Sequence, residues 1–116
     1  MNTVYNIQDI GGDVVKRDSR YVVRDNTELS SLVLSSTLLH QGKSTTGHSH
    51  PGQEEVYFFV SGNGKMQIDD NTFMVDAGSM VLVPDGAFHR VYNAGLEDLY
   101  FVCVFNGDRA SKHQGK

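Results

Sequence analysis

From Tyr21 onward the chain is a succession of short runs rich in β-branched and aromatic residues, each closed by glycine, asparagine, aspartate or proline. That punctuation excludes most folds at the outset, because such runs suit a pleated sheet and their breaks suit tight turns. The pattern predicts strands at residues 21–24, 31–40, 55–60, 65–68, 72–75, 79–83, 89–93 and 99–105. Between them, segments such as Ser61-Gly62-Asn63-Gly64, Asp76-Ala77-Gly78, Pro84-Asp85-Gly86 and Asn93-Ala94-Gly95 supply residues that tolerate positive φ or fix a turn. No segment keeps a helical stripe over three turns. Evenly spaced short strands read as all-β: a sandwich or a barrel, with the two-sheet jelly roll among the solutions.

Two of the runs, residues 56–60 and 99–105, are apolar on both faces, whereas a sheet with one wet face alternates. Both faces are therefore expected to be covered. One meets the interior; the other meets the N-terminal segment or a second subunit, so a homodimer is expected. A chain of 116 residues has the size of one domain able to bury a core without disulfide or metal staples. The expected organisation is a single domain over residues 1–116. It comprises a barrel over about 21–106, an N-terminal strand segment 1–20 and a polar C-terminal tail 107–116.

The formal net charge of -4 argues against a nucleic-acid partner, which needs clustered lysine and arginine, and the ten basic residues here are scattered. Lys112, His113 and Lys116 fall in the polar tail. No apolar run is long enough to cross a bilayer, and residues 1–13 lack a basic start followed by an apolar stretch. A soluble, cytoplasmic protein with no membrane partner is the expectation. The lone cysteine, Cys103, cannot form an internal disulfide and reads as a buried, inert thiol.

The polar residues that break the apolar pattern fall in two clusters. In the first, His48 and His50 are two apart, so in extended chain both imidazoles project to one side while Ser49 faces away. After Pro51-Gly52-Gln53 turns the chain, Glu55 opens a strongly apolar strand on the face of Tyr57 and Phe59. A carboxylate there is costly without a partner, and a metal ion is such a partner. Glu54 is the competing carboxylate; adjacent strand residues point to opposite faces, which favours Glu55. In the second cluster, His89 opens a strand whose alternation puts Val91 and Asn93 on its own side and Phe88, Arg90 and Tyr92 on the other.

Together the clusters closely resemble the paired signature of the cupin family. Gly42, His48, His50, Glu55 and Gly62 meet its first motif at every fixed position, and Gly78, Pro84, Gly86, His89 and Asn93 meet its second. The resemblance implies a jelly-roll β-barrel, a double-stranded β-helix, with a metal at its centre. Its ligands would be His48, His50, Glu55 and His89. His40 and His113 match no motif position and read as surface residues.

Three imidazoles and a carboxylate suit one divalent ion, whether iron, manganese, nickel, copper or zinc, and an octahedral ion would keep two positions for substrate oxygens. Small cupins are known for dioxygenation and other oxidations, and for isomerisation or elimination on sugars and keto acids. The family resemblance thus implies a metal-dependent enzyme acting on a small, oxygen-rich molecule. Tyr57 is the first candidate for proton transfer, with Arg90 and Gln53 behind it. Tyr57, Phe59, Val91 and Phe101 are the candidate pocket-lining residues. The alternative is a non-catalytic small-ligand-binding or sensing module, whose output a partner would have to supply.

Overall fold

The computed structural model describes residues 2–107; the tail containing Lys112, His113 and Lys116 lies outside the described residues. Among the described residues nine strands follow one another: β1 (Asp13–Arg17), β2 (Tyr21–Asn26), β3 (Leu32–Leu39), β4 (Glu55–Ser61), β5 (Asn63–Ile68), β6 (Asn71–Asp76), β7 (Met80–Val83), β8 (His89–Tyr92) and β9 (Leu99–Asn106). They form a six-stranded sheet in the order β1-β2-β3-β9-β4-β7 and a three-stranded sheet in the order β6-β5-β8. Every pairing between named strands is antiparallel. This is the all-β double-stranded β-helix, and no helix of the described residues is long and apolar enough to cross a membrane.

All eight runs that alternate or stay apolar become strands, with ends shifted by one or two residues. Within residues 1–20, where a strand segment was expected, the structure forms β1, an edge strand paired among the described residues only with β2. Its residues are exposed or half-exposed throughout, so it has no buried face to impose a pattern on the sequence.

Alternation on β4 turns Glu55, Tyr57 and Phe59 inward, and the register sets them opposite Phe105, Cys103 and Phe101 of β9. Tyr57, Phe59, Phe101 and Phe105 are each at most 2% exposed. Burying each such side chain contributes about 1.5–3 kcal/mol. The rings pack at an angle, Phe59 on Phe101 at 5.2 Å and Tyr57 on Phe101 at 5.5 Å between centroids. They form a packed floor inside the barrel. All four expected lining residues, Tyr57, Phe59, Val91 and Phe101, are at most 2% exposed, so side chains fill the barrel at this depth.

The other face of the same strands is covered in part. The Tyr100 hydroxyl donates to the carbonyl of Ile7 at 2.8 Å, so the N-terminal segment lies over this end of β9. Farther along, Met80 and Leu82 of edge strand β7 stand 70% and 73% exposed, in register with half-buried Phe58 and Val56.

The four motif glycines, Gly42, Gly62, Gly78 and Gly86, all have positive φ. Gly62 has a second constraint as well, since a Cβ there would lie 2.5 Å from the carbonyl oxygen of Asp98. Asn93 is equally structural. Its amide donates to the carbonyls of Leu39 and Glu97 at 2.9 and 2.8 Å, and its oxygen accepts from Gly95 at 3.0 Å.

Candidate metal centre

Three of the predicted side chains converge at one end of the barrel. Glu55 opens β4 in the larger sheet and His89 opens β8 in the smaller. His48 comes from the connection between β3 and β4, which runs antiparallel beside β8 without forming a regular strand. It is tied there by His48 N–H to the His89 carbonyl (3.2 Å), His89 N–H to the His48 carbonyl (3.0 Å) and Thr45 N–H to the Val91 carbonyl (2.9 Å). The imidazoles of His48 and His89 meet edge to face at 4.3 Å between centroids. One ligand atom from each of His48, Glu55 and His89 lies within 4.8 Å of the other two, and the group could hold a metal ion.

Both imidazoles are oriented by the same local device. His89 Nδ1 is 3.1 Å from the carbonyl of Ala87, and His48 Nδ1 is 3.3 Å from the carbonyl of Thr46. A carbonyl only accepts, so Nδ1 carries a proton in each and Nε2 is the nitrogen turned to the centre. This is how metal-ligating histidines are held, with the remote nitrogen engaged by a carbonyl. His89 Nε2 lies 2.8 Å from Glu55 Oε2. Bond lengths of about 2.0–2.2 Å put neighbouring ligands of an octahedral ion about 3 Å apart, so this pair has the spacing of two adjacent ligands. The donor set and its geometry fit a divalent ion.

The turns that deliver these residues are also joined. Asp85 of the second motif accepts from the N–H of Gly52 in the first at 2.7 Å, and Ala87 N–H closes its own turn on the Pro84 carbonyl at 3.1 Å. Nothing in the sequence ties Asp85 to Gly52, 33 residues away.

The remaining predicted residues divide. Glu54 is exposed and Glu55 is 3% exposed, as alternation requires. His50 has its ring 5.2 Å from that of His48 but lies outside the group whose ligand atoms come within 4.8 Å. Tyr57, one inward step beyond Glu55, presents its ring edge-to-face to His89 at 5.9 Å. Gln53 is 4% exposed and its amide donates to the carbonyl of Asn106 at 2.6 Å, fastening the turn before β4 to the end of β9. Arg90 lies on the outer face. It holds the Thr45 carbonyl at 2.9 Å and the Ser44 hydroxyl at 3.0 Å, which makes it a brace for the loop and places it away from the interior. His40 is a surface residue 3.3 Å from Asp98.

A double-stranded β-helix with two histidines and a glutamate gathered at one end defines a class, and comparison with known proteins agrees. Residues 36–105 match the Cupin domain family, and the chain belongs to it. Among curated proteins it is 31% identical over 107 residues to the oxalate decarboxylase of Bacillus subtilis (strain 168), covering 88% of this chain and 27% of that one. It is 27% identical over 101 residues to the glucose-6-phosphate isomerase of Thermococcus kodakarensis, covering 76% of this chain and 53% of that one. The chain thus spans about a quarter and about half the length of these two relatives. A conserved double-stranded β-helix protein of Klebsiella pneumoniae superposes with a TM-score of 0.78 at 19% identity, over 91% of this chain and 90% of the other.

Proposed function

We propose that this protein is a metal-dependent enzyme acting on a small, oxygen-rich metabolite, with one divalent ion held by His48, His50, Glu55 and His89. The observation that carries this reading is the convergence of His48, Glu55 and His89, with each imidazole already fixed through Nδ1. Iron, manganese, nickel, copper and zinc all suit the donor set; the bound ion supplies Lewis acidity towards carbonyl or carboxylate oxygens, or electron transfer where it is redox-active.

The chain's own residues set the rest. With the ion bound, His48 and His89 would serve as neutral donors through Nε2, keeping the proton on Nδ1 against a carbonyl. Glu55 brings the one negative charge of the set, and its burial beside aromatic side chains keeps water away from that side of the centre. His50, with its ring against His48, is the fourth donor. Tyr57, facing His89, is the proton-transfer residue. The two curated relatives support the substrate class, since oxalate and glucose 6-phosphate are both small and oxygen-rich.

The same proposal includes a homodimer and a cytoplasmic location. A second copy would cover Met80 and Leu82, which continue the apolar outer face of Val56 and Phe58 to the sheet edge. The single cysteine is buried and fits a reducing compartment.

Elemental analysis of the purified protein tests the centre. One ion per chain is expected, lost in His48→Ala and His89→Ala and kept in Glu54→Gln. With the ion bound, Tyr57→Phe should lower kcat by about 10²-fold without changing metal content. No uptake under any reconstitution overturns the centre. Uptake with no turnover of small acids, diketones or sugar phosphates would make this a non-catalytic ligand-binding module.

A further inference from the structure

We propose that Arg20, which lies outside both motifs, is a positioning residue for the metal centre: its guanidinium fixes the loop backbone that orients the His48 imidazole. The inference rests on the reading of His48 as a ligand.

His48 is carried by a loop, so its ring direction depends on what holds that loop. The acceptor for its Nδ1 proton is the carbonyl of Thr46. Thr46 itself is exposed, and its hydroxyl accepts from Arg20 Nη1 at 2.7 Å. The carbonyl of Arg20 accepts from His40 N–H at 2.9 Å, so a single residue holds this loop at its start and again at Thr46. Arg90 grips the same loop from the side of β8, at Ser44 and Thr45. Arg20 and Arg90 therefore pin three consecutive residues from two directions, and His48 follows two positions later.

Arg20 can act this way because it is itself immobilised. Nη2 is 2.8 Å from Asp18 Oδ2 and donates to the Tyr21 hydroxyl at 3.0 Å, while Nε donates to Asp18 Oδ1 at 3.2 Å. The guanidinium lies over the Tyr21 ring at 4.3 Å, and Tyr21 has no exposed surface. The support thus runs from the packed core through Tyr21 and Arg20 to Thr46. Only a planar fork can engage a carboxylate, a phenol and a hydroxyl at once, so lysine does not replace it. Losing the contact frees the Thr46 peptide to rotate and carries the His48 acceptor with it.

Cobalt(II) is the probe, with its dissociation constant measured by chelator competition, its visible spectrum recorded, and the melting temperature of the metal-free protein followed in parallel. Arg20→Met and Thr46→Val should each weaken cobalt binding by up to about tenfold, the low end of the range for a ligand's direct partner, because they act one step beyond the Thr46 carbonyl. Thr46→Ser keeps the hydroxyl and should bind as the unaltered protein does. The double variant should bind no more weakly than Arg20→Met alone, because both changes break one contact. A purely structural role would lower the melting temperature and leave the affinity and spectrum of the folded protein unchanged. Unchanged affinity in Thr46→Val overturns the positioning role while the centre stands. Failure of the unaltered protein to bind cobalt, matching His89→Ala, overturns the centre and this inference with it.

Discussion

His89 Nε2 and Glu55 Oε2 stand 2.8 Å apart with side chains only 5% and 2% exposed, although one residue opens a strand of the small sheet and the other a strand of the large sheet. The pair closes the barrel at this end. It also concentrates polar chemistry where Tyr57, Phe101 and Phe105 make the surroundings apolar. A carboxylate kept there depends on the donors around it, because bulk water is nearly excluded.

This relationship predicts unequal costs for two substitutions in the metal-free protein. His89→Ala leaves the Glu55 charge in the interior without this imidazole and should destabilise the fold by about 3–5 kcal/mol. Glu55→Gln keeps the volume and removes the charge, so its cost should be nearer 1–3 kcal/mol. Urea unfolding of the chelated proteins measures both. Equal losses would mean that the interior holds no charge at Glu55.

The motif glycines give a second contrast. Gly78 has φ of 96° and nothing within 4 Å of an added Cβ, whereas Gly62 has φ of 85° and the Asp98 carbonyl 2.5 Å away. Gly78→Ala should cost about 1–2 kcal/mol, the left-handed penalty alone. Gly62→Ala should cost clearly more, since β9 must also move. Thermal unfolding ranks them, and the reverse order would refute the steric argument.

These residues show what a sequence reveals and what it hides. Glu55 rather than Glu54 follows from the motif's six-residue step to Gly62 and from alternation along β4, whose inner face is uninterrupted. Arg90 was assignable to the outer face by alternation too. Its grip on Ser44 and Thr45 was not, since 45 or more residues separate the partners and no periodicity links them. The bounds of β1 within the expected N-terminal strand segment were not legible, because an exposed edge strand needs no alternation. Phe59 and Phe101 were expected along a pocket but are packed against each other, since alternation gives the face of a residue and not the depth at which the barrel fills. The gathering of His48, Glu55 and His89 was legible through the motifs; the supports that hold them are tertiary and became visible only in three dimensions.

The outer face predicts an assembly. Met80 and Leu82 are largely exposed and neighbour Phe58 and Val56 across β4, so an apolar patch runs to the sheet edge. Replacing both with lysine should leave the fold of each chain within about 0.5 kcal/mol per site, as for ordinary surface changes. The apparent mass in sedimentation velocity should fall by half. A mass unchanged from that of the unaltered protein would assign the patch no part in dimerisation.

Asp18 supplies a pH dependence whose sign can be worked out. The Arg20 side chain, and then the Arg20 backbone N–H, lower its carboxyl from 3.8 to about 2. The folded value lies below the unfolded one, so the stabilisation is complete above pH 3.8 and is lost as pH falls through about 2. An NMR titration of the Asp18 carboxyl carbon should therefore turn near pH 2. In Arg20→Met the largest cause disappears but the backbone donor stays, with Arg20 N–H 2.8 Å from Asp18 Oδ1 in the unaltered protein. Its midpoint should rise and still remain below 3.8. Asp18→Asn should flatten the loss of melting temperature over the same window. Because the protonated carboxyl no longer fixes the guanidinium, the Arg20 contact to Thr46 should loosen in that window too. Exchange of the Arg20 Nη protons, faster at pH 2 than the change in acidity alone explains, is the direct sign; unaltered protection would separate the ion pair from the loop it is joined to.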